Sequence, residues 1–384
     1  MEAYLDNSAT TRVLDSVKDL MVTIMTEDYG NPSSMHRKGM EAERYVREAR
    51  ENIARTLKVQ DKEIIFTSGG TESNNMALIG GAMANKRAGN HIITTRIEHA
   101  SVYNPLAFLE SQGFSVTYLD VDRKGHISLS DLQEALRPET ILVSIMYVNN
   151  EIGAVEPVEE IGRIVKAYRP SILFHVDAIQ AYGKYEIRPK KQNIDLLSVS
   201  GHKIHGPKGV GFLYLNEKAK VRPLLFGGGQ QRDMRSGTEN VPGAAGLGLA
   251  AKEMYTGFSD RIRKMTELKD YFIDRVSELE GITVNSEKGL ESAPQIISVS
   301  FQGVRGEVLL HALEDRDVYV SSGSACSSNH PAISGTLKAV GVKKDLLDST
   351  IRFSLGIYNT KEQLDYTVDV LKELLPVLRR YQRG

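Results

Sequence analysis

"IDLLSVSGHKIHGPKG", residues 194–209, runs from an apolar segment straight into a lysine set between two histidines and among glycines. Ile, Leu and Val fill the first half almost without alternation, as in a strand covered on both faces. Lys203 then falls just past the strand's carboxyl end, where ligands collect in an open α/β sheet. A solvated turn lysine is the plain alternative, since lysine is rarely buried. The neighbouring segments decide between the two.

From about residue 60 to 215 the same kind of run recurs: "EIIFTS", "HIITTRIE", "SVTYLDVD", "TILVSIMYV", "ILFHVDAI", "IDLLSVS" and "VGFLYL". Between several of them lie helix candidates, "TESNNMALIGGAMANK", "ASVYNPLAFLESQG", "SLSDLQEALR" and "PVEEIGRIVKAYR". In the third, Ser130 with Gln133 predicts a capping box. The alternation predicts an α/β fold whose mainly parallel, seven-stranded sheet carries helices on both faces. Past "FGGGQQRDMRSGTENVPGAAG" the pattern turns to helical stretches over 241–256 and 259–280, then to "ITVNS", "QIISVSF" and "IRFSLG" mixed with helices. A large α/β domain is therefore expected over 16–257. A smaller α+β domain is expected from 1–15 with 258–384, the long middle helix acting as hinge.

The chain has 384 residues, 41% hydrophobic and 25% charged, enough for one large core and a smaller second one. A net charge of -1 offers no basic field for nucleic acid, so a small-molecule partner is expected. No apolar run approaches the ~20 residues that span a bilayer, and "MEAYLDNSATT" resembles no signal region. A cytoplasmic location without membrane contact is the expectation. Cys326 is the only cysteine, which excludes an internal disulfide and sites built from paired cysteines.

Polar residues gather repeatedly where strands end. "TSGGTESNN" places Gly69, Gly70 and Thr71 at a helix start, where backbone N–H groups favour an anion, although it matches neither nucleotide-binding glycine pattern. A plain turn with Thr71 as N-cap would explain the same residues. Asp177, closing the apolar "HVDAIQ", needs a cationic or hydrogen-bonding partner, and Gln180 can face the same pocket. A metal held by His175, Asp177, His202 and His205 is the alternative there. An anion-binding helix start, a strand-end carboxylate and lysine, and the imidazole of His99 together describe a pocket for pyridoxal phosphate. In such a pocket the amine bonds to the aldehyde and the carboxylate keeps the ring nitrogen protonated.

At this point the chain resembles a cysteine desulfurase of the class V aminotransferase family, in the subgroup with the longer active-site loop. The likeness runs through "YLDNSATT", "GNPSSMH", "FTSGGTESNN", "EHASV", "VNNEIG", "HVDAIQ", "SGHKIHGPKG", "GGGQQRDMRSGTEN", "SSGSACSS" and "IRFSLG". It implies the aspartate aminotransferase-like fold type I of pyridoxal phosphate-dependent transferases. It also implies that Lys203 is the Schiff-base lysine, that His99 stacks on the cofactor ring and moves protons, and that Asp177 pairs with the ring nitrogen. Gln180 would bond the ring hydroxyl, Thr71, Ser200 and His202 would hold the phosphate, and Gly70 would allow close approach. Thr238 would reach the neighbouring subunit's cofactor, which implies a homodimer with shared sites. Asn150 and Arg352 would take the substrate carboxylate. A guanidinium in "TIRFSLG" suits that task on its own chemistry, with a structural ion pair to an Asp or Glu as the alternative.

Cys326, in "VSSGSACSSNHP", has serines and glycine around it rather than apolar neighbours, so it reads as a loop thiol within about 321–336. The chain from there to "LKAVGV" could carry the sulfur on the order of 30 Å. The resemblance implies that L-cysteine is the substrate, that its sulfur passes to Cys326 as a persulfide, and that L-alanine leaves. The sulfur would go on to an iron-sulfur scaffold or a sulfur-carrier protein. A selenocysteine lyase or an aminotransferase of the same fold remains open as an alternative, as does a protein whose main role is docking for sulfur delivery. The ending "LLPVLRRYQRG", shorter than in some relatives, leaves the docking surface open.

Overall fold

The computed structural model describes residues 1–322 and 334–380. Its strands are β1 (Ala3–Tyr4), β2 (Ile64–Thr67), β3 (His91–Thr95), β4 (Ser115–Leu119), β5 (Thr140–Met146), β6 (Leu173–Asp177), β7 (Leu196–Ser200), β8 (Gly211–Leu215), β9 (Ile282–Val284), β10 (Ile296–Phe301), β11 (Val318–Tyr319), β12 (Ser321–Ser322) and β13 (Thr350–Ser354). Seven of them form the main sheet in the order β2-β8-β7-β6-β5-β3-β4. All neighbours are parallel except at β8, which runs antiparallel to both β2 and β7. Two antiparallel pairings in succession leave β2 pointing the same way as β7. Its carboxyl end therefore joins those of β3, β5, β6 and β7 on one edge.

Alternate residues of these strands feed two separate cores. Phe66, Val143, Ile145, Phe174, Val176, Leu197, Val199 and Phe212 pack on one face, against the helices Arg37–Leu57 and Val241–Tyr255. Ile65, Ile92, Leu142, Leu173, Leu196 and Leu213 pack on the other. Side chains alternate along a strand, so a sheet buried on both faces needs apolar residues at every position. The polar exceptions are paired. His175 contacts the Ser144 hydroxyl through Nδ1 at 2.8 Å and the Ser198 hydroxyl through Nε2 at 2.9 Å, a rung across β5, β6 and β7. Burial pushes this imidazole down to about 3. Both ring nitrogens are thus occupied by hydroxyls, and His175 serves the sheet rather than a metal. Among the described residues no group of three or more His, Cys, Asp and Glu is placed to hold one.

A second sheet, β12-β13-β10-β9, is antiparallel throughout. It shares a core with the helices Phe258–Ser277 and Lys361–Arg380, through Phe272, Phe301, Phe353 and Leu371. Parallel β1 and β11 complete this part. Beyond β1 the N-terminal segment crosses to the main sheet, bonding Ser354 through the N–H of Ser8 at 2.8 Å and the His202 carbonyl through the N–H of Thr11 at 2.9 Å. Among the described residues, no helix is long and apolar enough to cross a membrane.

Some local expectations shift. The helix expected from "SLSDLQEALR" is Leu129–Ala135, and its cap is Ser128, which accepts from the N–H of Asp131 at 3.2 Å. Ser130 already lies inside the first turn and contacts Ser128 Oγ at 2.7 Å, so the Ser130–Gln133 box does not form. The helix expected over 71–86 is broken by a π-turn, Met76–Gly80, between Gly70–Asn75 and Gly81–Asn85. The two-residue strands β1, β11 and β12 are too short to leave a periodic signal.

Helices Arg37–Leu57 and Val241–Tyr255 meet at a glycine. A Cβ on Gly248 would lie 2.4 Å from Ala49 Cα and 2.9 Å from its carbonyl oxygen. Alanine gains about 1 kcal/mol in intrinsic helix preference, but forcing two backbones apart costs roughly 1–3 kcal/mol. Gly248→Ala should therefore lower the melting midpoint, and a raised midpoint in a thermal scan would count against this packing.

Candidate active site

The strand ends of that one edge surround a cavity of about 360 Å³. Gly70 and Thr71 follow β2, His99 and Ser101 follow β3, and Asn150 follows β5. Asp177 and Gln180 come from the end of β6, and Ser200, His202 and Lys203 from the end of β7. Ser8 and Ala9 enter from the N-terminal segment and Arg352 from β13. Thr238 does not line this cavity: it is exposed, three residues past Arg235, whose Nε donates to Glu72 at 2.8 Å. Cys326 lies outside the described residues.

Asp177 is the buried carboxyl group of the site, 4% exposed. Oδ1 accepts from the N–H of Ile179 at 3.0 Å and Oδ2 from the Asn74 amide at 2.8 Å. Burial pushes its carboxyl up, while those two donors and then the charges of His99 and Lys203 pull it back. A cationic ring nitrogen against it would offset the burial cost, since an opposite charge within hydrogen-bonding reach favours the ionised form.

The other hydrogen of the Asn74 amide goes to Ser101 Oγ at 2.9 Å, and that hydroxyl lies 2.8 Å from His99 Nδ1. The Ser101 N–H also donates to Nδ1, at 3.1 Å. Two donors facing Nδ1 make it an acceptor, so neutral His99 carries its proton on Nε2. Asn74 and Ser101 were not singled out in the sequence. The only available signal was spacing, since Asn74 lies one helical turn beyond Thr71.

Lys203 ends the short turn Gly201–Lys203. Its Nζ donates to the carbonyls of Ser8 at 2.5 Å and Ala9 at 2.8 Å. Beneath it Lys184, 7% exposed, donates to the Lys203 carbonyl at 2.6 Å. Burial and then the charge of Lys203 push Lys184 down to about 7. His202 touches Thr10 Oγ1 at 3.2 Å through Nδ1, and burial followed by the nearby lysines pushes it down to about 4. His205, in the left-handed region at φ 62°, donates from Nδ1 to the Arg12 carbonyl at 2.8 Å and holds the turn.

Gly70 is where the anion cradle is most demanding. A Cβ there would come within 2.2 Å of Ile179 Cδ1, and the preceding Gly69 has φ 149°. Only glycines bring the backbone N–H groups this close to Ser200 and the helix start. At the other end of the cavity Arg352 donates to the Asn150 carbonyl at 2.8 Å and to Asp6 at 3.2 Å. The structural ion pair weighed for this residue is therefore present, and the guanidinium lines the cavity as well. Glu98, beneath His99, accepts from Thr95 and from the Met146 N–H, and burial pushes it up to about 8.

A doubly covered sheet with a lysine, a buried carboxylate and a glycine cradle at one edge is the arrangement of the pyridoxal phosphate-dependent transferases of fold type I. The chain belongs to the class-V aminotransferase family, whose description "Aminotransferase class-V" matches residues 3–367. It is 46% identical over 379 residues to the cysteine desulfurase IscS of Dictyoglomus turgidum, covering 98% of this chain and 95% of that one. Among solved structures a NifS-like protein superposes with a TM-score of 0.93 at 40% identity, covering 98% of this chain and 100% of that one. SspA in complex with cysteine superposes with a TM-score of 0.81 at 36% identity, covering 93% of this chain and 100% of that one.

The buried imidazoles set a pH response. His175 titrates at about 3, and His202 and His205 at about 4, whereas in the unfolded chain they titrate near ~6.5. Between those limits the unfolded chain binds more protons, so stability should fall as pH drops from about 6.5 towards 4. Nitrogen NMR of histidine-labelled protein should show these three rings neutral from pH 5 to 8; titration of any of them near 6.5 would contradict the burial argument.

Proposed function

We propose that the chain is a pyridoxal phosphate-dependent cysteine desulfurase that converts L-cysteine to L-alanine and passes the sulfur to Cys326 as a persulfide. The observation that carries the proposal is that Lys203, Asp177 and Arg352 face one cavity, the first two suited to the cofactor and the third to an amino acid's carboxylate. The Dictyoglomus turgidum relative named above is a cysteine desulfurase, and the similar SspA was solved with cysteine.

The residues fit the cofactor on their own chemistry. Lys203 would hold its aldehyde covalently at rest, Asp177 would face its ring nitrogen and Gln180 its ring hydroxyl. Gly70, Thr71, Ser200 and His202 would hold its phosphate, His202 as a neutral donor, since burial pushes it down to about 4. When bound, the cofactor supplies a sink for the electron pair released at the substrate's Cα. Asn150 and Arg352 hold the substrate carboxylate, which fixes the Cα–H bond toward Lys203. Lys203 would take that proton as base. Cys326 would attack the substrate sulfur as thiolate, the sulfur–sulfur bond forming as the Cβ–S bond breaks; a proton taken up at Cβ and the return of a proton to Cα would complete alanine. His99, with its proton on Nε2, is the group that relays protons over the ring.

Thr238, exposed and outside this cavity, is assigned to the cofactor phosphate of a second subunit, so the working unit is a homodimer. The persulfide is passed to an iron-sulfur scaffold or a sulfur carrier, and the reaction is assigned to the cytoplasm.

The test is a visible absorption spectrum of the purified protein, titrated with L-cysteine while alanine and sulfide are measured. Cys326→Ser should keep the absorbance and lose alanine and sulfide release at least a hundredfold, as expected for loss of a nucleophile. Lys203→Ala should lose the resting absorbance band. Normal turnover in Cys326→Ser, or a protein that takes up no aldehyde, would overturn the assignment.

A further inference from the structure

Arg352 stands in the middle of β13, 5% exposed, and its guanidinium is committed on two sides. One terminal nitrogen donates to the Asn150 carbonyl at 2.8 Å and the other to Asp6 Oδ1 at 3.2 Å. Nε is buried and has no hydrogen-bond partner among the described residues. Asp6 is itself fixed from a second direction, because the same Oδ1 accepts from the Ser321 hydroxyl at 2.7 Å. Ser321 is the residue directly opposite Arg352 in the β12–β13 ladder, so the three side chains form one unit. The other acid near this guanidinium, Glu151, accepts from Ser334 at 2.5 Å, and burial pushes its carboxyl up toward the neutral form. Asp6 is therefore the carboxylate in direct contact with the guanidinium.

We infer that Asp6 is a positioning residue that shares the Arg352 guanidinium with the substrate's carboxylate and so limits how tightly any α-amino carboxylate is held. The inference rests on reading Arg352 as the carboxylate site. Two carboxylates on one guanidinium repel each other, and the repulsion is weakly screened in a site this closed. L-Cysteine and L-alanine carry the same carboxylate. A guanidinium with no second anion would grip the product as firmly as the substrate, whereas the shared one releases it. Asp6 also keeps the fork aimed, through Ser321, so its removal changes charge and its extension changes geometry.

The experiment uses the cofactor-loaded enzyme and two ligands, L-alanine and ethylamine, the latter having the same amine without the carboxylate. Binding is followed by the change in cofactor absorbance. In Asp6→Asn, L-alanine should bind about tenfold more tightly, on the scale of one removed charge at this distance, while ethylamine changes by less than about twofold on the same reasoning. KM for L-cysteine should fall, and kcat should fall with it as alanine lingers. Asp6→Glu should return the ratio of the two ligands toward the original value. Because the ratio is taken within one preparation, it does not depend on the folded fraction. Alanine binding that is weaker or unchanged relative to ethylamine in Asp6→Asn overturns the inference. Arg352→Gln separates the two levels: if it leaves alanine's advantage over ethylamine intact, the carboxylate reading itself fails; if it abolishes that advantage while Asp6→Asn tightens nothing, only the role of Asp6 falls.

Discussion

A carboxylate at the end of an apolar strand constrains everything around it. Asp177 is buried among the strand ends, and an isolated ion there would cost several kcal/mol even after relaxation. The protein supplies only two neutral donors, one from the backbone of Ile179 and one from Asn74. Hydrogen bonds to a charged group contribute about 1.5–3 kcal/mol each, which roughly offsets the burial and leaves little surplus. The balance is completed by positive charge, from Lys203 and His99 at a distance and, on the proposed function, from the cofactor's ring nitrogen directly. The site is thus least comfortable without its cofactor, a condition that favours tight retention.

The lysine poses a related problem in the same cavity. Its amine donates to two main-chain carbonyls, those of Ser8 and Ala9. Carbonyls hold the amine in position without stabilising its charge as strongly as an anion would. Lys184, buried under the same turn, adds a second amine where a counter-ion would usually sit. The carbonyls fix where the amine sits, and the charge of Lys203 is felt in turn by Lys184, whose own value it helps to push down. The carbonyls arrive on the N-terminal segment, which is also anchored to β13 through Ser8 and Ser354, so the two cores share one strap at the reacting amine.

The main sheet was legible because its strands are apolar at every position and end on polar residues, and the pocket was legible because those ends converge. What escaped was carried by atoms with no side-chain signature or by partners far apart in sequence. The carbonyls of Ser8 and Ala9 would serve equally with other residues in place. Asp6 meets Ser321 and Arg352 only through tertiary contact, so "YLDN" gave no hint of its part. Asn74 stood inside a quoted motif, yet its role follows from a direct hydrogen bond to Asp177, a residue far away in sequence. The Ser128 cap differed from the expected Ser130 because a helix start is set by where the backbone leaves the extended region, and two serines spaced two apart leave that choice to tertiary context.

Charge is distributed along the cavity in a way that bears on selectivity. The glycine cradle and Arg352 line the same cavity as Lys203 and Asp177, so on the proposed function it offers separate groups to a phosphate and to a carboxylate. On the proposed reaction, substrate and product share the amine and the carboxylate, and contacts to those groups bind both alike. Such uniform binding lowers KM without raising kcat. Discrimination between L-cysteine and L-alanine must then come from the sulfur, the one atom that only the substrate brings and the one that Cys326 attacks. A carboxylate grip softened by Asp6 is consistent with that division of labour, because anything more than orientation at the carboxylate would slow the departure of alanine.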